Sequence, residues 1–344
     1  MIAAAPVWQR HSALAAGPVA VAPAVPAAVS LLRKARSWSY QLQNYDMAAL
    51  AASPADILVV DYSINGREAA RFTEGNVGRL RVKPDGSRRV VLAYLSIGEA
   101  EEYRYYWKAD WLEQDGDPGA RPDGGTDKTT EDKRGDEKRE ASAKPERWLS
   151  PSAPSWLGDE NETWSGNFAV RFWDPGWQSI ILDGPRSYLS RIIRAGFDGV
   201  YLDRVDAFYE HSDERPSAAD DMVAFVERLA AAARAQVPGF LVVPQNAEEL
   251  LVKPHYVALI DAIAKEDLLY GSPVQGKRNS EGLITNSMGW LGHARLADKP
   301  VMVVEYLDDA AEIARATREL RASGMIPTFA PRLLDRLSRF AVPG

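Results

Sequence analysis

The chain has 344 residues, of which 46% are hydrophobic and 26% are charged, a composition typical of a globular protein with one large core. Its net charge of −7 argues against a nucleic-acid partner, and the absence of cysteine excludes disulfides, thiolate catalysis and cysteine-ligated zinc. The four histidines lack metal-ligand spacing such as HExxH. We therefore expect neither a metal site nor a cofactor.

Residues 1–36 form a lead that is rich in alanine, proline and valine. Its apolar stretch, residues 12–30, is interrupted by three prolines, so we expect no membrane-spanning helix. Arg10 precedes this stretch and small residues follow it, which resembles a degenerate signal peptide. The lead predicts a secreted or periplasmic protein, and the alternative is a disordered linker on a cytoplasmic one.

From residue 37 onward, short apolar runs alternate with segments of helical periodicity, and this pattern predicts a parallel sheet covered by helices. Two helices are clearest: residues 218–237 stop before a Pro-Gly pair, and residues 308–323 begin with acids and stop at Gly324. The apolar runs lie at residues 40–45, 57–62, 90–95, 199–203, 240–246, 260–266, 301–306 and 325–329. Eight runs fit one circuit of an α/β (β/α)8 TIM barrel, formed by a single domain over residues 37–344. An open doubly wound sheet is the alternative, but no glycine-rich phosphate loop follows the first run.

Residues 114–147 interrupt this alternation with a polar, low-complexity sequence that contains almost no apolar side chains. Such a segment cannot bury enough surface to offset the entropy cost of ordering it. We expect a disordered surface insertion within one loop of the barrel.

Acidic and other polar residues follow most of the predicted strands. The run 199–203 ends in Asp203, with Asp206 close behind, although aspartate is a poor strand residue. In a barrel, the carboxyl ends of the strands share one mouth, which is where barrel enzymes carry their catalytic groups. A single acid often only ends a strand, whereas acids after five separate strands would repel one another and indicate a function. The predicted mouth residues are Tyr45, Asp46, Asp61, Tyr62, Ser96, Glu99, Asp203, Asp206, Gln245, Asn246, Glu266, Asp267, Glu305 and Tyr306.

Three uses of such a mouth remain open on composition and pattern. Glycoside hydrolysis needs one protonated carboxyl group and one ionised carboxylate on either side of the scissile bond. A metal-dependent hydrolase could bind magnesium or calcium through the same oxygens, although no DxDxDG-type loop is present. A catalytically silent carbohydrate-binding barrel is the third possibility, in which Trp107 and Trp164 could stack on sugar if they do not pack in the core.

Four segments of the chain carry distinctive motifs: residues 91–107 (VLAYLSIGEAEEYRYYW), 166–177 (GNFAVRFWDPGW), 196–203 (GFDGVYLD) and 303–306 (VVEY). Together they resemble glycoside hydrolase family 114, whose characterised members are endo-α-1,4-polygalactosaminidases. The resemblance extends over roughly residues 37–340 and is strongest to a bacterial and archaeal branch with the YLSIGEAE signature. It implies a TIM-barrel glycosidase that acts on an oligosaccharide or polysaccharide, and we expect a monomer.

The resemblance also implies roles for individual residues. Asp203, after the fourth strand, matches the catalytic nucleophile, and Glu266, after the sixth, matches the general acid/base of a retaining mechanism. Arg204 would orient Asp203. The implied substrate-binding residues are Asp61, Tyr94, Glu99, Arg204, Asp206, Asn246, Glu305 and Tyr306, with barrel packing as the alternative for the two tyrosines.

The chain departs from the family pattern beside both catalytic acids. Arg204 stands where asparagine is usual, and Lys265 and Asp267 flank Glu266 where the family carries asparagine and glutamine. The resemblance therefore implies the two-carboxylate reaction more directly than it implies galactosamine as the sugar.

Overall fold

The computed structural model describes residues 26–114 and 147–338. Within these ranges, eight parallel strands follow one another in chain order around a sheet. They are β1 (Trp38–Tyr40), β2 (Ile57–Val60), β3 (Val90–Ser96), β4 (Gly199–Asp203), β5 (Leu241–Pro244), β6 (Ile263–Glu266), β7 (Val301–Glu305) and β8 (Ile326–Phe329).

The eight strands close into one circuit. Strands β1 to β5 form one ladder and β6 to β8 a second, and the two ladders meet where Gln245 pairs with Ala264 in parallel register. On the other side β1 packs against β8, and Trp38 Nε1 donates to the carbonyl of Ile326 at 2.8 Å. The predicted (β/α)8 barrel is confirmed.

The first strand lies earlier than the sequence pattern predicts. Residues 42–45 leave the sheet because the N–H groups of Leu42 and Gln43 bond to the carbonyl of Leu334, and Asn44 adopts a φ of 51°. The loop after β1 is therefore joined to the segment that follows β8, and both lie at the barrel mouth.

Helices cover the outside of the barrel. The helices are α1 (Ala27–Lys34), α2 (Met47–Ala52), α3 (Glu74–Leu80), α4 (Pro175–Leu182), α5 (Tyr188–Ala195), α6 (Ala218–Gln236), α7 (Pro254–Leu259), α8 (Glu281–Leu296) and α9 (Ala310–Ala322). Six of those described, α2, α3, α4, α5, α8 and α9, begin at a side-chain cap. Asp174 caps the helix that starts with Pro175. Asp309 Oδ1 accepts hydrogen bonds from two N–H groups of the helix Ala310–Ala322, which corresponds to the helix predicted over residues 308–323.

Alternate residues of each strand pack in two different cores. Ile57 and Val59 lie in the barrel interior, whereas Leu58 and Val60 pack under the helices. Because both faces of a parallel sheet are buried, the strands are apolar throughout. This alternation decides which residue at each strand end points into the mouth.

The described part of the N-terminal lead belongs to the barrel. Leu32 of α1 is fully buried and joins the interior core, and Pro26 packs on Gly239, just before the start of β5. Helix α1 therefore covers the end of the barrel opposite the mouth. Residues 1–25 are outside the described part of the chain.

A small antiparallel sheet stands beside the mouth, in the connection between β3 and β4. Its strands are Glu99–Glu101, Asn167–Val170 and Leu157–Glu160. Nearby, Leu112–Gln114 pairs with Arg147–Leu149, so the two flanks of the predicted insertion lie side by side; residues 115–146 are outside the described ranges. None of the helices described is long and apolar enough to cross a membrane.

Candidate active site

A cavity of about 910 Å³ opens at the carboxyl ends of the barrel strands. It gathers all but one of the residues to which the family resemblance gives a catalytic or substrate-binding role, but of the other predicted mouth residues it includes only Gln245, and not Tyr45, Asp46, Tyr62, Ser96 or Asp267. Its lining includes Asp61, Tyr94, Glu99, Asp203, Arg204, Asp206, Asn246, Glu266 and Tyr306.

The amide of Gln245 joins the two predicted catalytic carboxylates. Its Nε2 donates to Asp203 Oδ1 at 3.0 Å and to Glu266 Oε2 at 3.2 Å. Its Oε1 accepts from the hydroxyl of Tyr201 at 2.6 Å, which determines which end of the amide faces the acids. Gln245 follows β5, which lies between the strands β4 and β6 that carry the two acids. Its position in the sequence predicted that it lies in the mouth but did not indicate what it does there.

Two further tyrosine hydroxyls hold the acids in place. Tyr94 donates to Asp203 Oδ2 at 2.6 Å, and Tyr306 donates to Glu266 Oε2 at 2.9 Å. Both rings belong to the interior core. The tyrosines therefore combine the two roles between which the sequence left a choice, since the ring packs in the barrel and the hydroxyl points at a catalytic acid.

Burial and charge raise the pKa of Glu266 to about 7. The largest cause is desolvation, followed by the negative charges of Asp203 and Asp267, while Arg332 and the Tyr306 hydroxyl act in the opposite direction. Burial also raises the pKa of Asp203, where the Tyr94 hydroxyl favours the ionised form. A carboxyl group whose pKa lies near neutral pH therefore lies beside a second one, whose pKa is also raised by burial but whose ionised form the Tyr94 hydroxyl favours.

Arg332 is a site residue that the sequence analysis missed. Its Nη1 pairs with Asp267 Oδ2 at 2.5 Å, and its guanidinium lies 4.5 Å from the centre of the Tyr306 ring. Its position directly after β8, the last barrel strand, was the available signal. Asp267, one of the departures from the family pattern, is thus paired with the guanidinium of Arg332.

Glu99 holds the antiparallel sheet to the barrel. Its carboxylate accepts from Asn161 Nδ2 at 2.7 Å and from Asn167 Nδ2 at 3.3 Å, and it pairs with Arg204 Nε at 2.9 Å. The guanidinium of Arg204 binds Glu99 and Glu210, while the backbone N–H and the charge of Arg204 favour the ionised form of Asp203. Tyr94 and Gln245 orient Asp203.

Asp61 forms a buried ion pair in the cavity wall. Its Oδ2 lies 2.7 Å from Arg104 Nη2, and Arg104 Nε binds Glu101 Oε2 at 2.5 Å. The Arg104 side chain is fully buried and tyrosine rings surround it. Burial raises the pKa of Asp61 and the charge of Arg104 opposes this shift. Asp61 thus shapes the wall through a partner that the sequence did not single out.

Asn246 and Asp206 lie on the floor and rim of the same cavity. Asn246, with a φ of 58°, accepts the N–H of Glu266 at 3.2 Å and so holds the end of β6. The side chain of Asp206 is 28% exposed and its nearest cation, Arg204, is 3.9 Å away. Asp206 is therefore an acid of the site whose oxygens remain available to a ligand.

Glu305 does not reach the cavity, which corrects its predicted role in substrate binding. Its side chain is fully buried, and its oxygens accept the N–H groups of Leu269 at 2.7 Å and Tyr270 at 3.1 Å. Val304 and Tyr306 face the interior of the barrel, so Glu305 between them faces outward. Its carboxylate secures the loop after β6.

The described acids of the mouth do not form a cation site. In residues 26–114 and 147–338, no three His, Asp or Glu side chains converge on a position that could hold a metal ion.

Comparison with known proteins finds a matching family model and relatives of similar sequence. The model of glycoside hydrolase family GH114 matches residues 136–341, a range that includes both Asp203 and Glu266. An uncharacterized protein of Deinococcus radiodurans is 35% identical, with 93% of this chain and 88% of that protein covered. A protein of Methanocaldococcus jannaschii, MJ1477, is 33% identical over 80% of this chain and 67% of its own length.

Among solved structures, the glycoside hydrolase domain of PelA from Pseudomonas aeruginosa superposes with a TM-score of 0.59. The match covers 88% of this chain and 97% of that domain at 19% identity. At this identity the similarity concerns the fold.

Proposed function

The chain belongs to glycoside hydrolase family GH114, and from this membership we propose that it cleaves an α-linked polysaccharide by a retaining mechanism. Asp203 is the nucleophile and Glu266 the general acid/base. The observation that carries the proposal is the Gln245 amide that binds both carboxylates.

The shared amide limits the distance between the acids. Asp203 Oδ1 and Glu266 Oε2 can be no farther apart than the sum of the two bonds, about 6.2 Å. Because the two N–H bonds of a planar amide diverge by about 120°, the expected separation is about 5.4 Å. Retaining glycosidases hold their carboxyl groups about 5–5.5 Å apart, and inverting enzymes need about 6.5–9.5 Å. The geometry supports retention.

The hydrogen bonds also suit the two roles. Both side-chain bonds to Glu266 end on Oε2, so among the described residues none occupies Oε1, where a proton can be carried toward the leaving oxygen. Both oxygens of Asp203 accept bonds, from Tyr94 and Gln245, which favours the anion.

The reaction proceeds in two balanced steps. In the first, an Asp203 oxygen attacks the anomeric carbon, the glycosidic C–O bond breaks, and the Glu266 proton moves to the departing oxygen. In the second, Glu266 takes a proton from water, the resulting hydroxide attacks the same carbon, and the bond to Asp203 breaks. Two displacements at one carbon restore the starting configuration.

We propose an amino sugar of the galactosamine type as the substrate unit. The resemblance of the sequence to polygalactosaminidases supports this, and so does the partly exposed carboxylate of Asp206 in the cavity, which could accept an ammonium group. A silent carbohydrate-binding barrel would bind such a glycan without turnover.

The proposal is tested by a hydrolysis screen on a glycan panel with the full chain and its Asp203→Asn and Glu266→Gln variants. We expect each variant to lose roughly 10³-fold or more in kcat, with the anomer retained in NMR spectra of the early product. Asp206→Asn, an acid of the same mouth, should keep kcat within about tenfold. Turnover that survives in both catalytic variants would falsify the mechanism, and activity abolished by chelators would favour the metal-dependent alternative.

We also propose that the protein is exported, on the composition of residues 1–25, which precede α1. Cell fractionation with antibody detection in the source organism tests this. Recovery of the chain with the cytoplasmic fraction contradicts it.

A further inference from the structure

Trp164 is an exposed aromatic residue at the edge of a polar cavity. It lies in the turn between the strands Leu157–Glu160 and Asn167–Val170, is 41% exposed, and lines the cavity. Trp107, the other tryptophan that the sequence offers for stacking, instead packs 4.8 Å from Phe168 in the core. An indole left at the rim of an acid-lined cavity therefore calls for a functional explanation.

The turn that carries Trp164 is fixed by its own hydrogen bonds. Asn161 Oδ1 accepts the N–H groups of Thr163 at 2.9 Å and Trp164 at 3.0 Å. The carbonyl of Trp164 accepts the N–H of Asn167 at 3.0 Å, and the N–H of Asn161 donates to the carbonyl of Asn167 at 2.7 Å. The backbone beneath the indole is thus set before any ligand arrives.

The same turn is tied to the catalytic centre. The side-chain amides of Asn161 and Asn167 both donate to Glu99, and Glu99 pairs with Arg204, which follows the nucleophile directly in the chain. Glu99 is nearly fully buried, so this connection lies in the body of the protein. A ligand held by Trp164 would be positioned relative to Asp203 at little cost in ordering the protein.

The position of Trp164 suits a sugar unit away from the cleaved bond. The turn belongs to the connection between β3 and β4, whereas Arg332 and Leu333 line the cavity after β8, across the barrel. The catalytic pair lies between these two sides, on β4 and β6. A chain that crosses the mouth would therefore meet the indole on one side only.

We propose that Trp164 forms a sugar-binding subsite, in which its indole stacks on the apolar face of one pyranose ring of a polysaccharide whose cleaved bond lies at Asp203 and Glu266. The inference rests on the proposed function and extends it, because it makes the enzyme selective for chains that reach the subsite. Stacking removes apolar surface of both partners from water, and a protonated amino sugar adds attraction between the cation and the indole face.

The test measures binding by calorimetry with α-1,4-linked galactosamine di- and hexasaccharides. The full chain carries Glu266→Gln to prevent turnover, alone or with Trp164→Ala, Trp164→Phe or the control Tyr209→Ala. Tyr209 is 58% exposed and does not line the cavity. We expect Trp164→Ala to weaken hexasaccharide binding by about 10- to 100-fold and disaccharide binding little. Trp164→Phe should weaken hexasaccharide binding less than Trp164→Ala does. Tyr209→Ala should bind both oligosaccharides as tightly as the parent does.

The outcomes separate the subsite from the proposed function. A parent that binds neither oligosaccharide contradicts the proposed substrate and the subsite together. A parent that binds the hexasaccharide, with Trp164→Ala equally tight, overturns the subsite alone. Equal losses for both lengths also overturn it, because a merely structural role of Trp164 would not depend on chain length. Trp164→Phe keeps the turn aromatic, so the comparison survives if the alanine variant misfolds.

Discussion

At the scale of single residues, the site depends on polar groups that are bound from several sides. Gln245 is bound at both ends, by Tyr201 at its oxygen and by the two acids at its nitrogen. An amide restrained in this way keeps the acids at a nearly constant separation without adding charge. The geometry of the pair should therefore be more sensitive to Gln245 than to any one of the tyrosines.

We predict that Gln245→Ala lowers kcat/KM by about 10²-fold, since it removes a preorganised donor from both acids. Tyr201→Phe keeps the Gln245 amide and should lower kcat/KM by less than about tenfold. Steady-state kinetics on the substrate identified by the screen measures both. Equal losses of kcat/KM in the two variants would show that the hydrogen bonds from the Gln245 amide nitrogen to the acids do not contribute to catalysis.

Arg332 supplies the positive charge that acts on Glu266. A nearby cation stabilises the ionised carboxylate, so Arg332 holds the pKa of Glu266 below the value that burial alone would give. We predict that Arg332→Gln raises this pKa further and moves the alkaline limb of the kcat/KM profile to higher pH, because the acid keeps its proton longer.

Arg336→Gln is the matched control for Arg332, since it lies in the same segment and its side chain is 54% exposed in a pair with Asp335. The pH profile of this control should coincide with that of the wild type. An alkaline limb that stays in place in Arg332→Gln contradicts the assigned influence of the guanidinium.

At the scale of the elements, the two-residue period of the strands decides which side chains reach the mouth. Tyr306 and Glu305 are neighbours, yet one bonds Glu266 and the other secures a loop outside the barrel. Helix α1 makes a comparable contribution at the opposite end, where Leu32 extends the interior core. Such packing belongs to the stability of the barrel rather than to its chemistry.

We predict that Leu32→Ala lowers the free energy of unfolding by about 2–5 kcal/mol, because a fully buried leucine leaves a cavity. Leu296→Ala, at a position 90% exposed, should change it by less than about 0.5 kcal/mol. Chemical denaturation of both variants gives the comparison. If Leu32→Ala is as stable as the wild type, α1 is not part of the folded domain.

At the scale of the whole molecule, several buried carboxyl groups bind protons more tightly in the fold than in the unfolded chain. Burial raises the pKa of Glu266 to about 7 and that of Glu305 to about 8, and it raises those of Asp61, Glu99, Asp203 and Asp206 as well. Where the folded state binds more protons, stability falls as the pH rises. These buried acids therefore lower the stability of the barrel as they ionise.

We predict that the free energy of unfolding is greater at pH 5 than at pH 8, because Glu266 and Glu305 lose their protons across this window. A shift of one pKa unit corresponds to about 1.4 kcal/mol, so the two groups together should make the difference on the order of 6 kcal/mol. Glu266→Gln should reduce the difference, whereas Glu281→Gln, whose side chain is 80% exposed, should leave it unchanged. Denaturation midpoints that rise from pH 5 to pH 8 contradict the prediction.

The barrel, the positions of its strands within a few residues and most of the mouth acids follow from local pattern. Apolar runs at regular intervals, caps and helix periodicity are short-range features, and each can be seen in the chain itself. The match of Asp203 and Glu266 to a family motif needs no more than their neighbours in sequence.

The partners of those acids depend on contacts between residues far apart in the chain. Gln245 links acids on two different strands, Arg332 approaches Glu266 from the segment after β8, and the guanidinium of Arg204 binds Glu99. Glu305 was misplaced because its neighbours are apolar on both sides, and no alternation was visible from which to tell inward from outward. Local sequence thus identifies which groups are present at the mouth, whereas closure of the barrel, which brings eight strand ends together, determines which of them meet.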